Sequence, residues 1–210
     1  MEKQPSNMKL VLKDASILCM ITLIAGFLLG FAYNLTKGPI EKQQMAANLE
    51  AYQSVFTDAK DFTYEDLLTD AVSEAENLFT ESEVGFGRIT IDEALIALGD
   101  NNALLGYLVL ATSKEGYGGE ITAVVGISPE GEIKGVEITQ SSETKGLGSK
   151  ASEEPFKSQY VGKNVEAFVV TKNGKSQENE IDAISGATIT SNAVTDIVNA
   201  SIYFIKNNIQ

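Results

Sequence analysis

The chain has 210 residues and a formal net charge of −13, an acidic balance that repels nucleic-acid phosphates and argues against a nucleic-acid role. It contains no His, which removes Ser-His-Asp and Cys-His catalysis, ordinary haem ligation and most zinc sites. Its single Cys, Cys19, cannot hold an iron–sulfur cluster or close an internal disulfide, so any redox work needs an organic carrier.

The first element is an uncharged run, Ala15 to Tyr33, "ASILCMITLIAGFLLGFAY". It is long enough to cross a bilayer as a helix, which takes roughly 17–25 residues. Lys3, Lys9 and Lys13 precede it and only Lys37 follows closely, so the positive-inside bias puts residues 1–14 in the cytoplasm. The remainder is then extracytoplasmic, and it is the acidic part: from residue 41 on there are 12 Lys/Arg against 27 Asp/Glu. Gly30-Phe31-Ala32 would pass as a signal-peptidase site, but the apolar run exceeds the usual ~7–15 residues of a cleaved signal. An uncleaved anchor, residues 15–33, is the expectation.

Gly38-Pro39 reads as a break, with Pro39 at a first helical position. Met45, Leu49, Tyr52 and Phe56 then recur at helical spacing. Residues 57–85 are acidic and mixed, with "FTYEDLL" a short helix candidate, so residues 34–85 are expected to form a membrane-proximal helical segment. The middle is strand-rich: Arg88–Leu98, Ala103–Thr112, Glu120–Ile127 and Glu132–Thr139, the last two joined by the turn Ser128-Pro129-Glu130-Gly131. "EPFKSQYVG" suggests a short helix. Val165–Thr171 is a further strand, and Asn173-Gly174 signals a hairpin after it. From about Ser191 to Lys206, Val194, Ile197, Val198, Ile202 and Ile205 fall on one face of an amphipathic helix. The fold class is α+β: one membrane helix, then a domain with an antiparallel sheet flanked by helices.

Three loop stretches carry the chemistry: "SKEGYGGEI" (113–121), "SSETKGLGSKA" (141–151) and "DAISGATIT" (182–190). Each has an ordinary reading alone. Gly116, Gly118, Gly119, Gly146 and Gly148 shape turns, and Ser185 or Thr188 caps the last helix. The third stretch supports more. Backbone N–H groups at a helix start favour a phosphate, Gly186 and Ala187 let a bulky group approach, and a Thr hydroxyl can accept a phosphoester.

"DAISGAT" resembles the Asp-x-x-Ser/Thr-Gly-Ala-Thr attachment motif of FMN-binding domains, in which a flavin transferase esterifies FMN, taken from FAD, to the final Thr. "SETKGLG" resembles the Glu-Thr-Pro-Gly-Leu-Gly segment that lies against the isoalloxazine ring in the same family, with Lys145 in place of the usual Pro. "GYGGEITAVVGI" is similar to the family's strand opening. The resemblance implies covalent FMN on Thr188. It also implies a cofactor-binding set of Asp182, Ser185, Gly186, Ala187, Glu143, Thr144, Gly146, Leu147, Gly148, Tyr117 and Gly118, in a domain over residues 86–210. It extends along nearly the whole chain. It lies nearest the G subunits of Rnf-type ion-translocating ferredoxin:NAD oxidoreductases, with the usually longer C subunits of sodium-translocating NADH:quinone reductases second. The implied function is electron relay through FMN, with no substrate-transforming site of its own. The implied partners are the other subunits of a bacterial membrane redox complex, a flavin transferase for maturation, and lipid along residues 15–33. A flavin-free binding or scaffold domain is the alternative from another class; it treats the loop pattern as coincidence.

Overall fold

The computed structural model describes residues 8–78 and 86–209, and the chain separates into two units, Met1–Ala46 and Ala47–Gln210. The first unit is helical. Helix α1 spans Met8–Val55, and its Val11–Phe31 stretch is long and apolar enough to cross a membrane. Leu18, Phe27, Leu29 and Phe31 are all exposed within this unit, as a lipid-facing surface requires. The helix runs on through Gly38-Pro39, where the sequence predicts a break. A proline deletes one i→i−4 hydrogen bond, but turns propagate on either side of it at one bond per residue.

The second unit begins with the last turns of α1. Strand β1 (Asp61–Thr63) and helix α2 (Asp66–Leu78) follow. The predicted single short helix over "FTYEDLL" is thus half strand and half helix. Thr63 pairs with Ile96, and α2 buries Leu68, Ala71 and Ala75 at helical spacing. Then come β2 (Ile89–Leu98), β3 (Leu104–Ser113), β4 (Ile121–Ile127) and β5 (Ile133–Ser141). The five strands form one antiparallel sheet in sequence order, β1-β2-β3-β4-β5.

The strands are built from β-branched and aliphatic residues whose two-residue period serves two cores. Val109, Ala111, Ala123 and Val125 point to one face and Leu108 and Val124 to the other. The second face receives Tyr52, Val55 and Phe56 from the end of α1. Two glycines paired across β4 and β5, Gly126 and Gly135, make this approach possible. A Cβ on Gly126 would overlap the Val55 side chain, and one on Gly135 would lie 3.2 Å from Val55 Cα.

The first face receives helix α4 (Thr188–Asn208), which packs Val194, Ile197, Val198 and Ile205 against the sheet. It starts three residues before the predicted start. Between sheet and α4 lie α3 (Glu154–Lys157) and two short strands, β6 (Val169–Thr171) and β7 (Glu180–Asp182). These two strands are parallel, with Val170 opposite Ile181, so the hairpin expected from Asn173-Gly174 is not formed. Gly174 does turn the chain, at φ +81°. The chain then makes a second turn, in which the Glu180 carboxylate accepts from the Ser176 N–H, the Ser176 hydroxyl and the Gln177 N–H. It re-enters beside β6 in the same direction.

Candidate functional site

Three loops of the second unit converge at one end of the sheet: β3–β4 (114–120), β5–α3 (142–153) and β7–α4 (183–187). One side chain joins them. Glu143 Oε1 accepts from the Gly118 N–H at 3.0 Å, and Oε2 accepts from the Thr190 hydroxyl at 2.9 Å. Glycines make room for that carboxylate. A Cβ on Gly148 would overlap Glu143 Oε2 and sit 2.7 Å from Thr190 Oγ1, and one on Gly116 would sit 2.9 Å from Glu143 Oε1.

The β5–α3 loop turns tightly on itself. The Leu147 and Ser149 N–H groups both donate to the Thr144 carbonyl, and the Gly146 N–H donates to Ser149 Oγ. Gly146 at φ +78° and Gly186 at φ +77° hold left-handed backbone that favours glycine. Leu147 lies over Gly186, 3.3 Å from where a Cβ would stand.

The start of α4 has no side-chain cap. Ala187 stands at the cap position and supplies no side-chain acceptor. The expected capping by Ser185 or Thr188 does not occur. Ser191 reaches back instead: its buried hydroxyl accepts from the Ile184 N–H and donates to the Ala187 carbonyl, each at 3.0 Å. This fixes the loop from within the helix. Among the described residues no side chain caps the first turn, whose N–H groups carry the positive end of the helix dipole.

Together these elements enclose a cavity of about 400 Å³. Of the predicted residues, Tyr117, Glu143, Thr144, Leu147, Gly148, Gly186, Ala187 and Thr188 line it. Gly118 lies behind the wall and contributes its N–H to Glu143; Gly146 and Ser185 flank the loops without lining. Asp182 does not reach the cavity. Its backbone N–H donates to Gln159 Oε1 at 2.8 Å, and its Oδ1 is buried without a hydrogen-bond partner. Ile189 and Thr190 also line the cavity. They follow from one fact the sequence leaves open: the helix begins at Thr188, so the next two residues belong to its first turn. Lys145 is exposed and outside the lining.

The chemistry of the lining suits FMN. Tyr117 and Ile189, both more than half exposed, and Leu147 give apolar surface for a planar ring at the mouth. The uncapped helix start offers N–H donors to a phosphate. Glu143 is the one charged lining residue, and both its oxygens are already engaged. A volume near 400 Å³ falls in the ordinary range for small-molecule sites, roughly 300–1,000 Å³.

Residues 116–203 match the model of the FMN-binding domain family. The chain is 37% identical, over 98% of its length and 97% of the relative's, to the G subunit of the Na(+)-translocating ferredoxin:NAD(+) oxidoreductase complex of Acetobacterium woodii. It is 27% identical, over 96% and 93%, to the proton-translocating counterpart of Clostridium ljungdahlii. Among solved structures it is similar to NqrC of Shewanella oneidensis, at 22% identity and a TM-score of 0.45, covering 54% of this chain and 59% of that one. The match to the first relative runs the full length of both chains and includes the apolar helix as well as the three loops. The protein belongs to the G-subunit family of ion-translocating oxidoreductase complexes and carries that family's FMN-binding domain.

Proposed function

We propose that this protein is an electron-relay subunit of a membrane-bound, ion-translocating ferredoxin:NAD oxidoreductase, and that its FMN is esterified to Thr188. The observation that carries the attachment is the state of the hydroxyls around the start of α4. Ser191 is buried and bonded on both sides, and Thr190 is 1% exposed and donates to Glu143. Ser185 is exposed but lies outside the cavity lining. Thr188 lines the cavity, is partly exposed and makes no hydrogen bond through its hydroxyl to any described residue. Of the hydroxyls on the first turn of α4, it is the one that is both unbonded and open to the cavity.

Attachment balances simply. The Thr188 Oγ–P bond forms as the phosphoanhydride of FAD breaks, AMP departs, and the hydroxyl proton passes to a base on the transferase. Bound FMN supplies one- and two-electron transfer that this His-free, single-Cys chain lacks. The chain's own residues supply the rest. The N–H groups at the start of α4 would favour the phosphate, Thr144, Gly146 and Gly148 would shape the loop beside the ring, and Tyr117 and Leu147 would give it apolar surface. The ester keeps the cofactor on a domain exposed outside the membrane.

Residues 15–33 are read as the span, residues 1–14 as cytoplasmic and residues 34–210 as extracytoplasmic, supported by the Lys3, Lys9 and Lys13 bias. Residues 86–210 hold the flavin, and the other subunits of the complex are the electron donors and acceptors. Peptide mass spectrometry of protein matured with a flavin transferase tests the attachment: the FMN adduct belongs on Thr188, and finding it on Ser185 or Thr190 refutes the assignment. Protease added to intact cells with any outer barrier opened tests the topology, since digestion only after the cytoplasmic membrane is broken reverses it.

A further inference from the structure

We propose that Glu143 is a positioning residue that holds the acceptor pocket closed before flavin arrives, and so sets how readily the transferase recognises Thr188. The inference rests on the reading of Thr188 as the attachment residue.

The geometry is that of a clamp. The two walls of the cavity come from distant parts of the chain, the loops around Gly118 and Gly148 on one side and the first turn of α4 on the other. Glu143 bonds one partner from each, with Oε1 on the Gly118 N–H and Oε2 on the Thr190 hydroxyl. The space it occupies is left by glycines: a Cβ on Gly148 would overlap its Oε2, and one on Gly116 would sit 2.9 Å from its Oε1. Both bonds are charge-assisted, which makes them stronger than neutral ones.

A carboxylate holding a hydroxyl proton also resembles an activated nucleophile and its base. Burial decides against that role here. Thr190 is 1% exposed, so no transferase-bound phosphorus reaches its oxygen, while partly exposed Thr188 two residues earlier is bonded to no base among the described residues. The Glu143–Thr190 contact therefore acts on shape. A pocket that is closed only part of the time has an apparent affinity reduced by its competent fraction, with the step after binding unchanged.

The test is steady-state flavin attachment to the full-length apo-protein in detergent by a purified transferase with FAD, read as in-gel flavin fluorescence. Thr190→Val is expected to raise the apparent KM for the apo-protein about tenfold, the equivalent of one lost charge-assisted hydrogen bond, and Glu143→Ala, which removes both bonds, by at least as much, each with kcat unchanged. Glu143→Gln keeps an acceptor for Gly118 and a polar group for Thr190, and is expected to stay near wild type. The Glu143→Ala/Thr190→Val pair should be no worse than Glu143→Ala alone, because both remove the same link. A fall in kcat at unchanged KM, or a Glu143→Gln variant as impaired as Glu143→Ala, overturns the proposal by placing the charge in the chemistry. Circular dichroism of each variant guards against misfolding, and Glu143→Gln and Thr190→Val keep the test decisive if Glu143→Ala does not fold. Failure of the Thr188 assignment shows separately, as an adduct mapped to another residue in wild-type protein.

Discussion

Helices α1 and α4 both place hydroxyls among apolar residues, and they use them differently. In the apolar stretch of α1 the Ser16 and Thr22 hydroxyls turn inward on their own helix: Ser16 donates to the Leu12 carbonyl at 2.7 Å, and Thr22 to the Leu18 and Cys19 carbonyls. A helix whose side chains are exposed on every face offers them no other partner among the described residues of this unit. In α4 the interior hydroxyls begin the same way, Thr195 on the Ser191 carbonyl and Ser201 on the Ile197 carbonyl, both at 2.8 Å. Some then take a second partner from another element. Thr195 accepts from the buried Tyr160 hydroxyl at 2.8 Å, and Ser191 accepts from the Ile184 N–H. At the very start of α4 the pattern stops: Thr190 bonds outward to Glu143, and Thr188 bonds to no described residue. The hydroxyls deeper in α4 are thus bonded within the domain, while Thr188 on its first turn is not, which is the contrast the proposed attachment rests on.

Substitutions can break that contrast. The largest expected effect is at Thr188. Thr188→Ala should abolish in-gel flavin fluorescence altogether while the thermal midpoint of the apo-domain barely moves; full labelling would show that a free hydroxyl is not the criterion. Next comes Thr195→Val, nearly the same shape without the oxygen. It strands the Tyr160 hydroxyl in the core and should cost about 1–3 kcal/mol by denaturant unfolding, with labelling of Thr188 retained.

Asp196 sharpens the comparison from the charged side of α4. Burial, aided by the charge of Glu115 and opposed by the Gly87 N–H, pushes its carboxyl up to about 6. The folded chain therefore binds this proton more tightly than the unfolded chain, where Asp titrates at ~3.9, and stability falls as pH rises from about 4 to about 6. Asp196→Asn keeps an acceptor for Gly87 and removes that loss. It should stabilise the domain at pH 7 by on the order of 1 kcal/mol, allowing for solvent screening, and give no gain below about pH 4. A pH series of melting curves checks the sign. The smallest effect belongs to Thr22→Val in α1, whose hydroxyl serves only its own helix. Membrane fraction and domain melting should both stay at wild type, within about 0.5 kcal/mol.

The sheet, α4 and most of the pocket were legible because their signals are local. Alternation in "LVLATS" and "ITAVVGI", the apolar face from Val194 to Ile205, and the loop motifs each lie within one short window. What was illegible depends on contacts between windows. Asn173-Gly174 is a sound turn signal, but the Glu180 side chain adds a second turn and converts a hairpin into a parallel pair. Asp182 belongs to the motif by spacing, yet Gln159 holds its backbone away from the cavity. The Ser191 hydroxyl fixes the loop from inside the helix, running backward along the chain, where the usual signal places a cap residue before the helix. The Glu143–Thr190 bond spans 47 residues, and no pattern in either segment announces it.

The strand order β1-β2-β3-β4-β5 carries a consequence for the time course of folding. Each pairing in the sheet after β1 is between chain neighbours, so short loops close it at small entropic expense and such contacts form early. The helix that completes the cavity arrives from the far end of the sequence, after the parallel β6–β7 pair has been laid down. The first wall of the pocket thus rests on contacts local in the chain, and the second does not. Only when α4 docks do Glu143 and Thr190 meet, so the finished pocket reports that the whole domain, down to its last helix, has reached its native state.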